Sequence, residues 1–316
     1  MNKSKSYVLW TVAILTFQLS LAYSQSTAEF TISGPIEADQ PGTSRNAIYS
    51  ASAIELEANG YLEEEYFIEG LANRYTRPGN QTGEIIDSGH PYRTRLIVRR
   101  PKTASNFNGM VIVEWNNVTA GPDKDIDWWM SGDHFIREGY AYVSASVQQM
   151  GVQSMKDWSP ERYGSLDVTN GGKVEKDELS FDIFSAVGRA IHRKGQPTKS
   201  SQLDILGGLR AKLILATGHS QSANRLVAYL NHMHPLDPIY DGFMIHGGGA
   251  RIRDDLKVQV FKIMAESDMI WQAAIRQPNT DTFHYWEVAG TSHVDIHFEM
   301  EYGKVRNSLL GKPDEK

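Results

Sequence analysis

The amino-acid sequence predicts an α/β fold in which a mostly parallel central sheet carries an antiparallel N-terminal hairpin and helices on both faces. Short apolar runs such as Met110–Trp115 lack polar alternation, which is typical of strands buried on both faces. These runs alternate with segments of helical spacing such as Asp127–Glu138, an order that favours parallel strands joined by helices. Earlier, Tyr61–Arg74 and Tyr92–Arg99 alternate apolar and polar positions, which indicates an antiparallel pair.

The remaining elements follow from the same two periodicities and from stop signals. Pro101 closes the hairpin, and Gly139 ends the first helix. The further predicted strands are Tyr140–Val147, Leu213–Thr217, Phe243–Ile245, Val258–Met264 and Phe283–Val288. The further predicted helices are Phe181–Ile191, Ser222–Leu230 and Val294–Leu309.

The chain of 316 residues is long enough for one large domain and has no internal repeat. Residues 25–316 are therefore predicted to form a single domain. Within it, residues 149–179 are polar and rich in glycine. Long loops in compact domains are either functional or disordered, and we expect this one to border the functional site.

The first 24 residues resemble a secretory signal peptide. Lys3 and Lys5 form a positive region, Tyr7–Leu21 is apolar, and Ala22 and Ser24 are small residues at the −3 and −1 positions of a cleavage site. The alternative is a membrane anchor, but the apolar stretch is shorter than the roughly 20 residues that a spanning helix needs. We therefore expect a secreted or periplasmic protein without stable membrane insertion after cleavage.

Composition excludes several classes of function. The formal net charge is −6 and no long Lys/Arg run occurs, so nucleic acid is not an expected partner. The absence of cysteine excludes a thiol nucleophile. No phosphate-binding glycine loop is present, and Gly247-Gly248-Gly249 is interpreted as a flexible turn at a pocket edge, so no cofactor is expected.

The segment Gly218–Ala223 has the features of a nucleophile elbow. It follows an apolar strand and precedes an amphipathic helix, with Ser220 between the small residues Gly218 and Ser222. In this setting, the strand and the helix approach closely and the serine lies in a strained turn. The alternative is that Ser220 only caps the following helix.

An acid and a histidine follow the serine in the chain order of an α/β-hydrolase triad. The strand Val258–Met264 leads to Asp268, the first choice of acid, with Glu266 as the alternative. His293 follows the last predicted strand and is the predicted base, with its Nδ1–H held by the carboxylate.

A metal site is the competing interpretation of the histidines. His293 and His297 are four residues apart with Asp295 between them, but Val294 stands where an H-E-x-x-H motif requires glutamate. His232 and His234 form another pair without a full ligand set. No metal is therefore predicted.

An oxyanion hole requires two backbone donors. The N–H of Gln221 is the first candidate, because it lies at the start of a helix just after the serine. The second candidate is the N–H of Asn117, with Asn116 as the alternative, in the loop after the Met110–Trp115 strand. The two asparagines also fit an Asx-type turn.

The chain resembles the alpha/beta hydrolase domain family of largely uncharacterised bacterial and fungal proteins. The resemblance spans nearly all of the mature chain, and the segments that carry it are Leu62–Phe67, Val113–Val118, Trp158–Leu166, Gly218–Ala223 and Trp286–His293. It implies an α/β-hydrolase fold with Ser220 and His293 at the matching positions. His219 stands where an acidic residue is expected, so we expect a change in pocket polarity or specificity and no loss of the nucleophile.

These features predict a serine hydrolase that cleaves carboxylic esters through an acyl-enzyme. The alternatives are an acyltransferase with the same triad and a non-catalytic binding protein on this fold. The expected substrate is a small-molecule or carbohydrate-linked ester. Candidate pocket residues are His219, Trp128 and Trp129, with Trp158 as a further aromatic.

Overall fold

The structure is a computed structural model that describes residues 30–37, 45–192 and 203–311. The predicted signal peptide, residues 1–24, lies outside the described residues. Within those ranges, each helix is too short or too polar to cross a bilayer.

Nine strands form one sheet within the described chain. They are β1 (Phe30–Ser33), β2 (Tyr61–Tyr75), β3 (Ile85–Pro101), β4 (Met110–Trp115), β5 (Ala141–Ala145), β6 (Leu213–His219), β7 (Gly242–His246), β8 (Gln259–Ala265) and β9 (Phe283–Val288). Their order across the sheet is β1-β2-β3-β5-β4-β6-β7-β8-β9.

The sheet is antiparallel at its N-terminal end and parallel elsewhere. Strands β1, β2 and β3 pair antiparallel, and β3 joins β5 in the same manner. From β5 to β9 every pairing is parallel, so the carboxyl ends of six strands meet at one edge. This arrangement confirms the predicted mostly parallel sheet with an antiparallel start.

Helices cover both faces, as predicted. They are α1 (Ile126–Arg137), α2 (Gln149–Trp158), α3 (Pro160–Tyr163), α4 (Ser180–Ile191), α5 (Gln221–His232), α6 (Met269–Gln272) and α7 (Ile296–Leu309). Alternate residues of a strand enter different cores: Val111 and Val113 pack in the cluster that contains α4 and α5, and Ile112 packs with α1 and α7. Both faces of β4 and β5 are therefore buried, which explains the largely apolar sequences of these strands.

The prediction of a long loop over residues 149–179 is wrong in part, because the segment begins with the helices α2 and α3. Its many polar residues obscure a short buried stripe that includes Val152 and Met155. Gly151 lowers helix propensity, but a Cβ at this position would collide with the carboxylate of Asp123. The glycine is thus required by packing, and it does not mark a turn.

We predict opposite effects of alanine at two helical glycines. Gly151→Ala is expected to lower the free energy of unfolding by about 1–3 kcal/mol, because the buried Asp123 cannot move without leaving its partners. Gly303→Ala in α7 is the matched control, since nothing lies within 4 Å of its added Cβ. It is expected to raise that free energy by about 0.5–1 kcal/mol, and urea unfolding measures both. Equal effects of the two variants would contradict this account of Gly151.

Candidate active site

Ser220 occupies a strained turn between β6 and α5. Its backbone angles are φ 59° and ψ −112°, a conformation that is sparsely populated for a residue with a side chain. Ser220 stands at the N-cap position of α5, yet its side chain makes no capping hydrogen bond. The hydroxyl is therefore not used to cap the helix, which removes the main alternative interpretation of this serine.

The small residues around Ser220 make the turn possible. A Cβ on Gly218 would lie 3.2 Å from the backbone carbon of Ser222, so the strand and the helix are almost in contact. The Ser222 hydroxyl accepts from the N–H of His219 at 3.0 Å and donates to the His219 carbonyl at 2.9 Å. Serine in place of the usual second glycine thus closes the turn with its own side chain.

The turn after β7 packs directly against the candidate site. A Cβ on Gly248 would lie 2.8 Å from the carbonyl oxygen of Ser220, and one on Gly247 would lie 3.2 Å from Nδ1 of His293. Adjacent residues of one turn therefore contact both Ser220 and His293. The interpretation of this glycine turn as a flexible pocket edge is wrong, because it is a packed support of the site.

The structure pairs His293 with Asp268. Nδ1 of His293 lies 2.6 Å from Oδ1 of Asp268, whose side chain is 2% exposed, whereas that of His293 is 39% exposed. The other oxygen of Asp268 accepts from the N–H of Ala265 at 2.8 Å. Glu266 is exposed and accepts instead from the N–H of Gly290 at 2.6 Å. Of the two carboxylates considered, Asp268 is the one placed to orient the imidazole.

Within the described chain, no hydrogen bond joins the Ser220 hydroxyl to His293. Such contacts are often long in free enzymes and shorten when the substrate binds. The glycine turn described above places the two residues side by side.

Two predicted oxyanion donors are wrong. The N–H of Asn117 donates to the carbonyl of Lys124 at 2.8 Å, and the N–H of Asn116 donates to the carbonyl of Ala145 at 3.3 Å. The N–H of Gln221 stays the first candidate, because the first residue of a helix has no intrahelical acceptor. Sequence reasoning missed Val118, whose N–H points at the Gln221 side chain and donates to its Oε1 at 3.3 Å.

Asn117 instead ties its loop to the elbow. Its side-chain amide donates to the His219 carbonyl at 2.9 Å, and its Oδ1 accepts from the N–H of Thr119 at 2.8 Å. The second contact forms the Asx-type turn that the sequence suggested. The side chain of Asn117, and not its backbone, therefore supports the site.

The two ends of the segment 149–179 lie close to the helix that follows the elbow. The Gln221 side chain donates to Oε1 of Gln148 at 3.3 Å, just before α2 begins. At the other end of the segment, Asp177 accepts from Arg225 of α5 at 3.1 Å. The expectation that this segment borders the functional site stays a prediction, which these contacts with Gln221 and α5 support.

The tryptophans proposed as pocket residues are core residues. Trp128 and Trp129 are 1% and 2% exposed and pack in the cluster between α1 and α7. The indole N–H of Trp128 donates to the Ser52 hydroxyl at 3.1 Å. Trp158 is half-buried and packs edge-on against Tyr49 at 5.3 Å. The pocket prediction for Trp128 and Trp129 is wrong, because α1 presents both side chains to the interior.

A second carboxylate–histidine pair lies beside the first. His246, the last residue of β7, places Nδ1 2.8 Å from Oδ1 of Asp127 in α1. Burial opposes the charge on His246, but the hydrogen bond and charge of Asp127 outweigh it, so the pKa of His246 is raised. Burial likewise opposes the charge on Asp127, yet the two histidines His246 and His219 hold its pKa below the usual value. This pair was not predicted from the sequence.

His219 was predicted as a pocket residue, but the structure buries it completely. Its ring lies between those of His246 and His293. Burial, followed by the charge of His246, lowers the pKa of His219 to about 4. His219 therefore lies behind the site and does not line a cleft. No group of three or more carboxylate and histidine side chains in the described residues is arranged to hold a metal ion.

The sheet order, the strained serine after β6 and the acid and histidine after β8 and β9 define the α/β-hydrolase class. The chain matches the family described as "alpha/beta hydrolase domain" over residues 32–313, which is nearly its whole length. It belongs to this family. No functionally curated protein matches the chain.

Solved structures resemble the chain at low identity. An α/β serine hydrolase without a lid from Xanthomonas campestris is 14% identical, with 78% of this chain and 97% of that chain covered and a TM-score of 0.38. A glucuronoyl esterase from Solibacter usitatus is 9% identical, with 90% of this chain and 87% of that chain covered and a TM-score of 0.41. Oligopeptidase B from Trypanosoma brucei is 10% identical, with 81% of this chain and 38% of that chain covered and a TM-score of 0.42.

We predict that Asp127→Asn lowers the pKa of His246, because burial then acts on an imidazolium that has lost its hydrogen-bonded carboxylate and keeps only the weaker effects of Asp268 and Asp295. A histidine whose pKa is higher in the folded state than in the unfolded state stabilises the fold when the pH is below the unfolded-state pKa. This stabilisation is lost as the pH rises through the folded-state pKa. The variant should therefore lose more stability at about pH 5.5 than at about pH 9.

Histidine NMR titration measures this shift. His234 serves as an internal control, since burial lowers its pKa to about 4 and its charged neighbours are Asp237 and Asp241. An unchanged His246 titration in Asp127→Asn would show that the pair does not set this pKa.

Proposed function

We propose that the protein is a serine hydrolase that cleaves carboxylic esters through an acyl-enzyme on Ser220. The observation that carries this proposal is the strained conformation of Ser220, with its hydroxyl unused by the helix, beside the Asp268–His293 pair. A nucleophile, a base and a group that orients the base are the three parts of serine hydrolysis.

The proposed reaction follows from the orientation of His293. Because Nδ1–H donates to Asp268, Nε2 carries a lone pair and takes the proton of the Ser220 hydroxyl. The serine oxygen bonds to the ester carbonyl carbon, and the protonated His293 then gives its proton to the departing alkoxide. Water repeats the sequence on the acyl-enzyme and releases the acid.

The negative oxygen of the tetrahedral intermediate requires two donors. We propose the N–H groups of Gln221 and Val118 for this role. In the structure, the Val118 N–H donates to Oε1 of Gln221. The Gln221 side chain must therefore turn away from Val118 when the oxyanion forms. The positive end of the α5 dipole adds to the stabilisation. Loss of one such donor costs about 10²–10³-fold in turnover.

Exposed apolar side chains next to the acid and the base support an open site. Ile270 and Trp271 follow Asp268 and are 78% and 67% exposed, and Ile296 follows His293 and is 66% exposed. The connection between β7 and β8 contains no helix that could form a cap. We propose a small-molecule or carbohydrate-linked ester as substrate, with its apolar part against these side chains. We further propose export through residues 1–24 and action outside the cytoplasm.

The first test is covalent labelling by a fluorophosphonate, read by intact mass. The wild type should gain one label and hydrolyse p-nitrophenyl esters, and Ser220→Ala should lose both properties, because the proposed nucleophile is then absent. Ser105→Ala, at an exposed serine far along the chain, is the matched control and should behave as the wild type. A folded wild type that takes no label would overturn the proposal and favour a binding role.

The choice of acid has its own prediction. Asp268→Asn should lower kcat by about 10⁴-fold, because the amide favours the wrong tautomer of His293. Glu266→Gln is the control: it is expected to retain most activity, since Glu266 contacts Gly290 and not His293. Steady-state kinetics on a p-nitrophenyl ester distinguishes the two carboxylates. Equal losses of kcat in both variants would show that Asp268 and Glu266 share the role of the acid.

A further inference from the structure

Three imidazoles are packed in a row at the carboxyl edge of the sheet. The ring of His219 lies 4.6 Å from that of His246 at an interplanar angle of 83°, and 4.5 Å from that of His293 at 48°. The outer two rings each bind a carboxylate, His246 that of Asp127 and His293 that of Asp268. His219 is therefore the link between two carboxylate–histidine pairs.

His219 also holds the main chain of the candidate base. Its Nε2 lies 2.8 Å from the carbonyl oxygen of His293. A carbonyl only accepts, so Nε2 carries the proton and donates it. The neutral ring has one proton, and its Nδ1 is left buried without a partner in the described residues. A buried polar atom without a partner destabilises the fold, so stability does not explain this placement of His219.

The loop that carries His293 needs such a tether. Residues 289–292 between β9 and His293 are exposed, and the contacts of this stretch include the N–H of Gly290 with the exposed Glu266. Asp268 orients the imidazole of His293, but proton transfer also requires the main chain of this residue to be held in place, and an exposed loop does not do this by itself. The bond from His219 acts at the main chain of His293 itself, and it originates from the residue that precedes Ser220.

We propose that His219 is a positioning residue that sets the distance between His293 and Ser220, with the Asp127–His246 pair fixing the opposite face of its ring. The proposal rests on the proposed function, because it assigns a role to His219 in the same reaction. A misplacement of the base by about 1 Å lowers turnover by about 10²-fold, and substrate affinity changes little. His219 thus acts on kcat through His293 and does not touch the substrate.

Substitution of His219 by glutamine or by asparagine distinguishes the effect of the hydrogen bond from the effect of losing the ring. In His219→Gln the side-chain nitrogen reaches the position of Nε2 and still donates to the His293 carbonyl. In His219→Asn the amide ends at the position of Nδ1 and the bond is lost. His219→Phe keeps the ring contacts without a donor and serves if the Asn variant does not fold. His134→Asn, at an exposed histidine of α1, controls for the substitution itself.

The expected result is a fall in kcat of about 10²-fold for the Asn and Phe variants at nearly constant KM, with most of the loss restored in the Gln variant. Thermal unfolding establishes that each variant is folded. A folded Asn or Phe variant with wild-type kcat, or a Gln variant as impaired as Asn, would overturn the proposal.

A second readout keeps the inference separate from the proposed function. The NMR signal of the His293 Nδ1 proton should be sharp in the wild type and in His219→Gln, and exchange-broadened in the Asn and Phe variants. A wild type that takes no fluorophosphonate label would overturn the ester hydrolase proposal alone. The NMR comparison still tests whether the hydrogen bond from His219 holds His293 in place. An identical signal in all variants would refute this role.

Discussion

The backbone of Ser220 is the constraint around which the carboxyl edge of the sheet is arranged. Its conformation costs of the order of 1–3 kcal/mol and persists only where neighbouring contacts determine it. Three such contacts are present: the N–H of Ser220 donates to the His246 carbonyl at 2.8 Å, and the His219 carbonyl accepts from Asn117 and from Ser222. The strain is thus held by the neighbouring strand, the preceding loop and the following helix together.

Two carboxylate–histidine pairs, Asp127–His246 and Asp268–His293, determine the electrostatics of this edge, and both carboxylates are buried. Glu114 lies beneath them and accepts the N–H groups of Asp127 and Trp128, which are otherwise unpaired at the start of α1. Burial, followed by the charges of Asp127 and Asp125, raises the pKa of Glu114 well above its usual value. The helix start and the second histidine pair are therefore connected through one carboxylate on the adjacent strand β4.

The parts of the fold that depend on local pattern were predictable. Buried parallel strands are unbroken apolar runs, so β4 to β9 were found to within a few residues, and the chain order of Ser220, Asp268 and His293 followed from those strands. Strand β1 was missed, since its four residues pair with β2 and carry little pattern of their own. Helix α2 was missed because its glycine is required by a contact with a distant residue.

The errors at the site have a common physical cause. The N–H of Asn117 is engaged by a bridge to Lys124, and no sequence spacing shows which backbone group a loop already uses. Asp127 and His246 are 119 residues apart, and they meet only because the start of α1 and the end of β7 lie at the same edge. Trp128 and Trp129 were assigned to a pocket because sequence does not reveal which face of α1 is buried.

The residues of the candidate site come from distant segments of the chain, and this determines the stage of folding at which the site forms. Val118, Ser220, Asp268 and His293 are brought together only by the parallel pairings from β4 to β9, which join segments that are distant in the chain. Such non-local pairings form slowly and late. The residues proposed for catalysis meet only in the finished sheet, so the proposed activity is expected from that state alone. Recovery of this activity during refolding would then report the last parallel strand pairing, after secondary structure and compactness have returned.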